Sequence, residues 1–177
     1  MESLVLKEGL VALRALRMED SQALAVQAND RAIFDKVRDY FPHPYGIEDA
    51  KAFIQMVLEE QPRLTFGIFY HGQLAGMIGL KLQSDVYRKS AEVGYWIGAN
   101  FRGKGITTSA LALITSYGVN TLLLKRLYAG AFSNNPPSMR VLEKCGYLFE
   151  GVARKAIWKN GEYLDEHRYG FVAEDPS

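Results

Sequence analysis

Between positions 98 and 108 the chain reads Gly98-Ala99-Asn100-Phe101-Arg102-Gly103-Lys104-Gly105-Ile106-Thr107-Thr108, and its hydrophobic period changes across that turn. Before it, Ala91, Val93, Tyr95 and Ile97 alternate with Glu92, Gly94, Trp96 and Gly98, so a strand over 91–98 has one apolar face and one that mixes a carboxylate, an indole and bare backbone. After it, Ile106, Ala110, Leu113, Ile114 and Tyr117 recur at helical spacing. A strand that enters a helix through glycines belongs to an α/β fold. The start of that helix leaves backbone N–H groups without intrahelical acceptors, and glycines let an anion come close to them. The turn therefore reads as a phosphate cradle.

The rest of the pattern agrees. A short strand is expected over 11–16, helices over 19–29 and 48–60, and strands over 65–70 and 73–82 joined by His71-Gly72, a connection short enough for an antiparallel hairpin. In the second helix Ala52, Phe53, Met56, Val57 and Glu60 fall at helical spacing. The loop Phe41-Pro42-His43-Pro44-Tyr45-Gly46 cannot be helical and carries bulky side chains, either as packing or over a cleft. A strand follows over 126–132. Asn135 then reads as the N-cap of a helix with Pro136 in its first turn and Gly146 as its stop. Two long strands, 147–157 and 163–172, close the chain around Asn160-Gly161. With no repeat or linker, residues 1–177 are expected to form one domain, a mixed α/β sheet covered by helices.

Composition narrows the function. Twenty-one Lys and Arg against 20 Asp and Glu leave a formal charge of +1, too little to attract nucleic acid or anionic lipid by bulk charge. One cysteine, Cys145, and three scattered histidines, His43, His71 and His167, supply neither a disulfide nor a structural zinc set. The opening Met1-Glu2-Ser3-Leu4-Val5-Leu6-Lys7-Glu8 lacks the pattern of a secretion signal, and the uncharged run 105–124 is broken by hydroxyl and amide side chains, so a cytoplasmic, non-membrane protein is expected.

Two nucleotide motifs can be set aside. Positions 98–104 fit the start of a Walker A loop, but the Ser or Thr that holds magnesium is replaced by Gly105. The dinucleotide pattern fails because its third glycine, after Gly103 and Gly105, is Thr108.

The hexapeptide Arg102-Gly103-Lys104-Gly105-Ile106-Thr107 resembles the Q/R-x-x-G-x-G/A coenzyme A loop of the GNAT acetyltransferase superfamily. Its flanks, positions 91–97 and the stretch from Asn135 through Ser138 to Gly146 and Tyr147, are similar to that superfamily's neighbouring motifs in order and spacing. The Gly94-Tyr95-Trp96-Ile97 tetrapeptide and the Asn160-Gly161-Glu162-Tyr163 hairpin resemble the Rim-type branch of ribosomal-protein N-terminal acetyltransferases. Thr107 departs from the family's small residue, and Leu142 stands where many members carry a catalytic tyrosine.

The resemblance implies a single-domain GNAT-like α/β fold, with a largely antiparallel mixed sheet whose central strands splay. It also implies acetyl-CoA as co-substrate, no metal, an amine acceptor and scope for a homodimer. Coenzyme contacts are expected from Trp96, Ile97, Gly98, Arg102, Gly103, Lys104, Gly105, Ile106, Thr107 and Asn135, with a backbone N–H near Ile97 polarising the thioester carbonyl. Glu92 is the expected general base, acting through water, and Ser138 the group that receives the leaving thiolate. On residue type alone a strand carboxylate such as Glu92 is more often paired to a neighbouring Lys or Arg, and Ser138 is equally a helix-end hydroxyl. The cluster Asp165, Glu166 and His167 reads as a solvated edge, because neighbouring strand residues face opposite ways.

Acceptor choice can be weighed by proton cost. Deprotonating a lysine amine at neutral pH costs about 4.6 kcal/mol, against about 1.1 kcal/mol for an α-amine. A lone carboxylate suits the α-amine of a protein N-terminus better. A small amine such as a polyamine, aminoglycoside or amino acid, and a coenzyme-binding module without catalysis, are the alternatives.

Overall fold

The computed structural model describes residues 4–174, so Met1, Glu2 and Ser3 of the opening stretch read above lie outside the described residues. Eight strands form one sheet: β1 (Val5–Glu8), β2 (Val11–Arg14), β3 (Thr65–Tyr70), β4 (Gln73–Leu82), β5 (Ser90–Ile97), β6 (Arg126–Phe132), β7 (Leu148–Lys159) and β8 (Glu162–Val172). Their spatial order is β1-β2-β3-β4-β5-β6-β8-β7. Every pairing is antiparallel except β5 with β6. Helices α1 (Ser21–Ala28), α2 (Arg31–Phe34), α3 (Ile47–Leu58), α4 (Ile106–Asn120) and α5 (Pro136–Lys144) complete the fold. The expected mixed, largely antiparallel sheet is what forms.

Residues of β4 are buried on both faces along most of its length, which places it between two cores. On one side α4 contributes Ile106, Ala110, Leu111 and Ile114 to a cluster with Leu13, Phe66, Ile78, Val93 and Leu127. On the other, Leu24 and Ala28 of α1 and Ala50 and Ile54 of α3 pack on Leu16, Phe69 and Met77. The alternation of β5 distributes its side chains as expected, with Tyr95 and Ile97 against the first core and Trp96 against the second. Both hairpin turns have positive φ at their two central residues, His71 and Gly72, and Asn160 and Gly161. That conformation matches the twist of the strands they join.

Some expectations need correction. β1 was not foreseen, because a four-residue edge strand with little burial carries no usable pattern. The first helix is shorter than expected at its start, where Met18–Asp20 forms a 3-10 turn. The stripe of α3 is rotated: Ala50, Ile54 and Val57 face the core, while Met56 is exposed. The helix has two apolar sides, and the sequence does not say which meets the sheet. Asn135 occupies the N-cap position of α5 with proline behind it, but its side chain makes no capping hydrogen bond.

Candidate active site

Among the described residues the one parallel pairing, β5 with β6, frames the candidate site. Ser90, Ala91 and Glu92 pair with Arg126, Leu127 and Tyr128, and there the pairing stops, although β5 runs on to Ile97 and β6 to Phe132. The two strands separate, and a cavity of about 690 Å3 fills the gap. Backbone direction along β5 follows from two bonds. The Ser90 carbonyl accepts from Gln83 N–H at 3.0 Å and Gly98 N–H donates to Ala75 at 2.7 Å. Even-numbered residues thus address β4. Strand alternation turns the N–H and C=O groups of Val93, Tyr95 and Ile97 toward the gap.

The glycine turn leaves the end of β5. Phe101 and Ile106 are buried and anchor its two ends, while Arg102, Gly103, Lys104 and Gly105 are exposed. Gly103 and Gly105 both have φ +73°, a conformation an L side chain adopts only with strain. Gly105 is the N-cap of α4, and the first backbone bond across this start runs from Ser109 N–H to Gly105 O, 3.1 Å. The N–H groups of the first turn therefore face outward from an open, Cβ-free surface. Thr107 is half-buried at the start of the helix. Arg102 Nη2 lies 2.5 Å from Asp30 Oδ2, and Lys104 Nζ sits 5.8 Å from the Phe101 ring centroid. Asp30 also caps α2 by accepting Ala32 N–H at 2.8 Å.

Inside the cavity the expected site residues meet partners the sequence could not supply. Glu92 Oε1 lies 2.5 Å from Arg38 Nη2, and the glutamate side chain is 24% exposed. Ser138 Oγ is 2.9 Å from the Tyr95 phenol oxygen, and the same phenol reaches the Ser138 carbonyl at 3.2 Å. Burial pushes the Tyr95 phenol far above its ordinary range, outweighing the opposing hydrogen bond from Ser138. Asn135 and Trp96 also line the cavity, the indole edge-on to Phe41 at 5.9 Å between centroids. Leu142 is fully buried.

The two-proline loop stands over the cleft, with Phe41, Pro42 and Tyr45 in the wall and the Tyr45 phenol raised to about 12 by burial and then by Asp49. Phe53 and Met56 of α3 join them. Trp158, by contrast, is exposed beside Tyr163 on the last hairpin. Asp165, Glu166 and His167 go separate ways: Asp165 accepts Lys155 N–H, Glu166 pairs with Arg168, and His167 packs near Phe149. Cys145 donates to the Thr108 carbonyl at 3.3 Å, and burial raises its thiol pKa.

Sequence reasoning missed Arg38, Lys36 and Lys81, which line the cavity, and the phenol of Tyr95, which was assigned only to an apolar face. The register of β4 against β5 could have flagged Lys81, since it sits directly opposite Glu92. Among the described residues no helix is long and apolar enough to cross a membrane.

The family model for the acetyltransferase (GNAT) domain matches residues 11–148. YdaF of Bacillus subtilis (strain 168), which carries the name of a ribosomal N-acetyltransferase, is 39% identical over 109 residues, 62% of this chain and 59% of that protein. YjcK of the same organism, named as an N-acetyltransferase, is 33% identical over 97% of this chain and 98% of its own length. Among solved structures, the microcin C7 self-immunity acetyltransferase MccE in complex with acetyl-CoA and AMP superposes with a TM-score of 0.81 at 29% identity, covering 94% of each chain.

Proposed function

The chain belongs to the GNAT acetyltransferase family, and with that as premise we propose that it carries an acetyl group from acetyl-CoA directly to an amine, the α-amine of a polypeptide N-terminus being the class its chemistry favours. The observation that carries this reading is the parting of β5 from β6 beyond Glu92 and Tyr128. It leaves the inward-facing backbone of Val93, Tyr95 and Ile97 as a free strand edge, on which the amides of an extended pantetheine arm can pair as an added strand.

The cradle fits the other end of the same molecule. N–H groups from Arg102 to Thr107 and the positive end of α4 hold a diphosphate, an arrangement of order 1 to 2 kcal/mol before side-chain charge is counted. Arg102 and Lys104 add charge, Arg102 after exchanging Asp30 for phosphate. Ile106 contributes its backbone only, since its side chain is core.

A thioester is already activated, so no covalent enzyme intermediate is needed. The amine nitrogen attacks the carbonyl carbon, the C–N bond forms and the C–S bond breaks. Ile97 N–H stabilises the oxyanion, and the amine proton leaves through water to Glu92. Ser138 O–H donates to the departing sulfur. Holding both substrates in one cleft supplies much of the acceleration. The wall of Phe41, Phe53 and Trp96 keeps water away from the reacting centre.

The test is thiol release from acetyl-CoA with N-terminal peptides as acceptors, paired with calorimetry on acetyl-CoA alone. Heat on coenzyme binding together with amine-dependent thiol release is the expected result. Absence of both removes the proposal.

A further inference from the structure

Taking the cleft as the acetyl-transfer site just described, we propose that its acceptor arm selects an amine carrying an anionic group, a carboxylate or a phosphate, beside the reactive nitrogen, and that Lys36, Arg38 and Lys81 make that selection. Among the described residues five charged side chains line the cleft, and two of them, Asp49 and Glu92, are acidic. Both acids are already engaged. Asp49 Oδ2 accepts Gly46 N–H at 2.8 Å, closing the first turn of α3. Glu92 takes the Arg38 guanidinium at 2.5 Å.

The cations are not balanced in the same way. Lys81 lies directly across from Glu92 in the β4–β5 register, so the two side chains leave the same face of the sheet with Cβ atoms about 5 Å apart. Yet no ion pair joins them, and among the described residues neither the Lys81 nor the Lys36 ammonium has a protein partner. The surroundings of Glu92 thus hold one carboxylate, one guanidinium bound to it and a second cation within reach. Much of the remaining wall is apolar and aromatic, with Phe41, Phe53, Met56 and Trp96, beside the polar Thr65, Asn135 and Ser138, and the exposed Arg38 and Lys81 set the sign of the field at its solvent side.

A polyamine entering this arm brings further positive charge into a positive wall. An amine with a neighbouring anion neutralises the wall instead. An anion seated between Lys81 and Arg38 also competes with Glu92 for the guanidinium. The acceptor that fits thereby frees the carboxylate for the amine proton, so selectivity enters the rate as well as the binding.

Matched acceptor pairs test this, with thiol release from acetyl-CoA as the readout. The peptide pairs begin with Asp or Asn, or with Glu or Gln; the small-molecule pair is phosphoethanolamine and ethanolamine; spermidine is the polycation. The anionic member of at least one pair should show kcat/KM about tenfold or more above its neutral partner. The pair that responds separates an acidic peptide from a small anionic amine. The preference should shrink at about 0.5 M salt, where exposed charge is screened, and in Lys81→Gln and Lys36→Gln. Calorimetry with acetyl-CoA verifies that these variants fold. Equal or faster turnover of neutral acceptors or spermidine overturns the inference while leaving acetyl transfer standing, as does a preference unchanged by both lysine substitutions. Failure of every amine to release thiol overturns the acetyl-transfer reading itself.

Discussion

The phenol oxygen of Tyr95 stands 2.9 Å from the hydroxyl of Ser138, joining the C-terminal half of β5 to the first turn of α5 at the wall of the cleft. Because burial pushes the Tyr95 phenol well above its ordinary range, it is a poor source of a proton for a thiolate. Under the proposed mechanism its role is to donate to Ser138 Oγ, which leaves the serine's own proton free to point at sulfur.

Tyr95→Phe is therefore expected to lower kcat about 5- to 30-fold, the loss of one hydrogen bond that strengthens as charge develops. KM for acetyl-CoA should stay within about twofold of the parent value, because uniform binding is untouched. Ser138→Ala should lower kcat by a similar or larger factor, and the double variant should be less damaging than the product of the two. Steady-state kinetics on the four proteins checks this.

Glu92→Gln retains the shape of the cleft and removes the proposed proton acceptor. A fall in kcat of about 10²- to 10⁴-fold is expected, within the usual range for a positioned base. The remaining rate should climb with pH as free amine becomes available from solution. A pH-rate profile parallel to that of the parent enzyme would assign Glu92 to the Arg38 ion pair alone.

Arg102 and Asp30 make opposite predictions for coenzyme affinity. Arg102→Ala should weaken acetyl-CoA binding about 5- to 20-fold by removing a charge-assisted contact to phosphate. Asp30→Asn keeps the cap on Ala32 N–H but loosens the 2.5 Å pair that holds Arg102. Its dissociation constant, measured by calorimetry, should fall.

Gly76 is the tightest backbone contact around the site. A Cβ there would lie 2.2 Å from the Trp96 carbonyl oxygen, which belongs to the neighbouring strand and cannot swing aside. Gly76→Ala should destabilise the fold by about 2 to 3 kcal/mol, as overpacking does, and lower Tm by roughly 4 to 12 °C. Thermal denaturation gives the answer directly.

Acid stability should depend on Asp20. Burial works to raise its pKa, but hydrogen bonds from the Arg14 guanidinium and the Arg17 N–H, with the charges of both arginines, outweigh that and hold it below 3.8. A depressed folded-state pKa stabilises the protein above the unfolded value, and this contribution is lost as pH falls through the folded one. Asp20→Asn should lower Tm at neutral pH and flatten its decline below about pH 4. Melts across that range test the sign.

Much of the scaffold was legible because it follows from local rules. Period-two and period-3.6 patterns located seven of the eight strands and the principal helices, and the turns at His71-Gly72 and Asn160-Gly161 lie where their residues predict them. The glycine turn was readable for the same reason, since Gly103 and Gly105 adopt backbone angles that other residues resist. The partners of the candidate site were not readable. Arg38 meets Glu92 across 54 positions and Arg102 meets Asp30 across 72, and no periodicity carries information over such separations.

The amino-acid order by itself determined the alternation of strand and helix, the anion-ready turn at the mouth of α4 and which face of β5 is apolar, because these depend on φ/ψ preference and on side-chain spacing along one segment. Only the tertiary structure decided that β5 and β6 part after Glu92, that α3 turns Phe53 and Met56 toward the cleft, and that Lys36, Arg38 and Lys81 line one cavity. Those outcomes come from how separate elements pack against a shared sheet, where each surface can satisfy its apolar area in more than one way until its neighbours are in place.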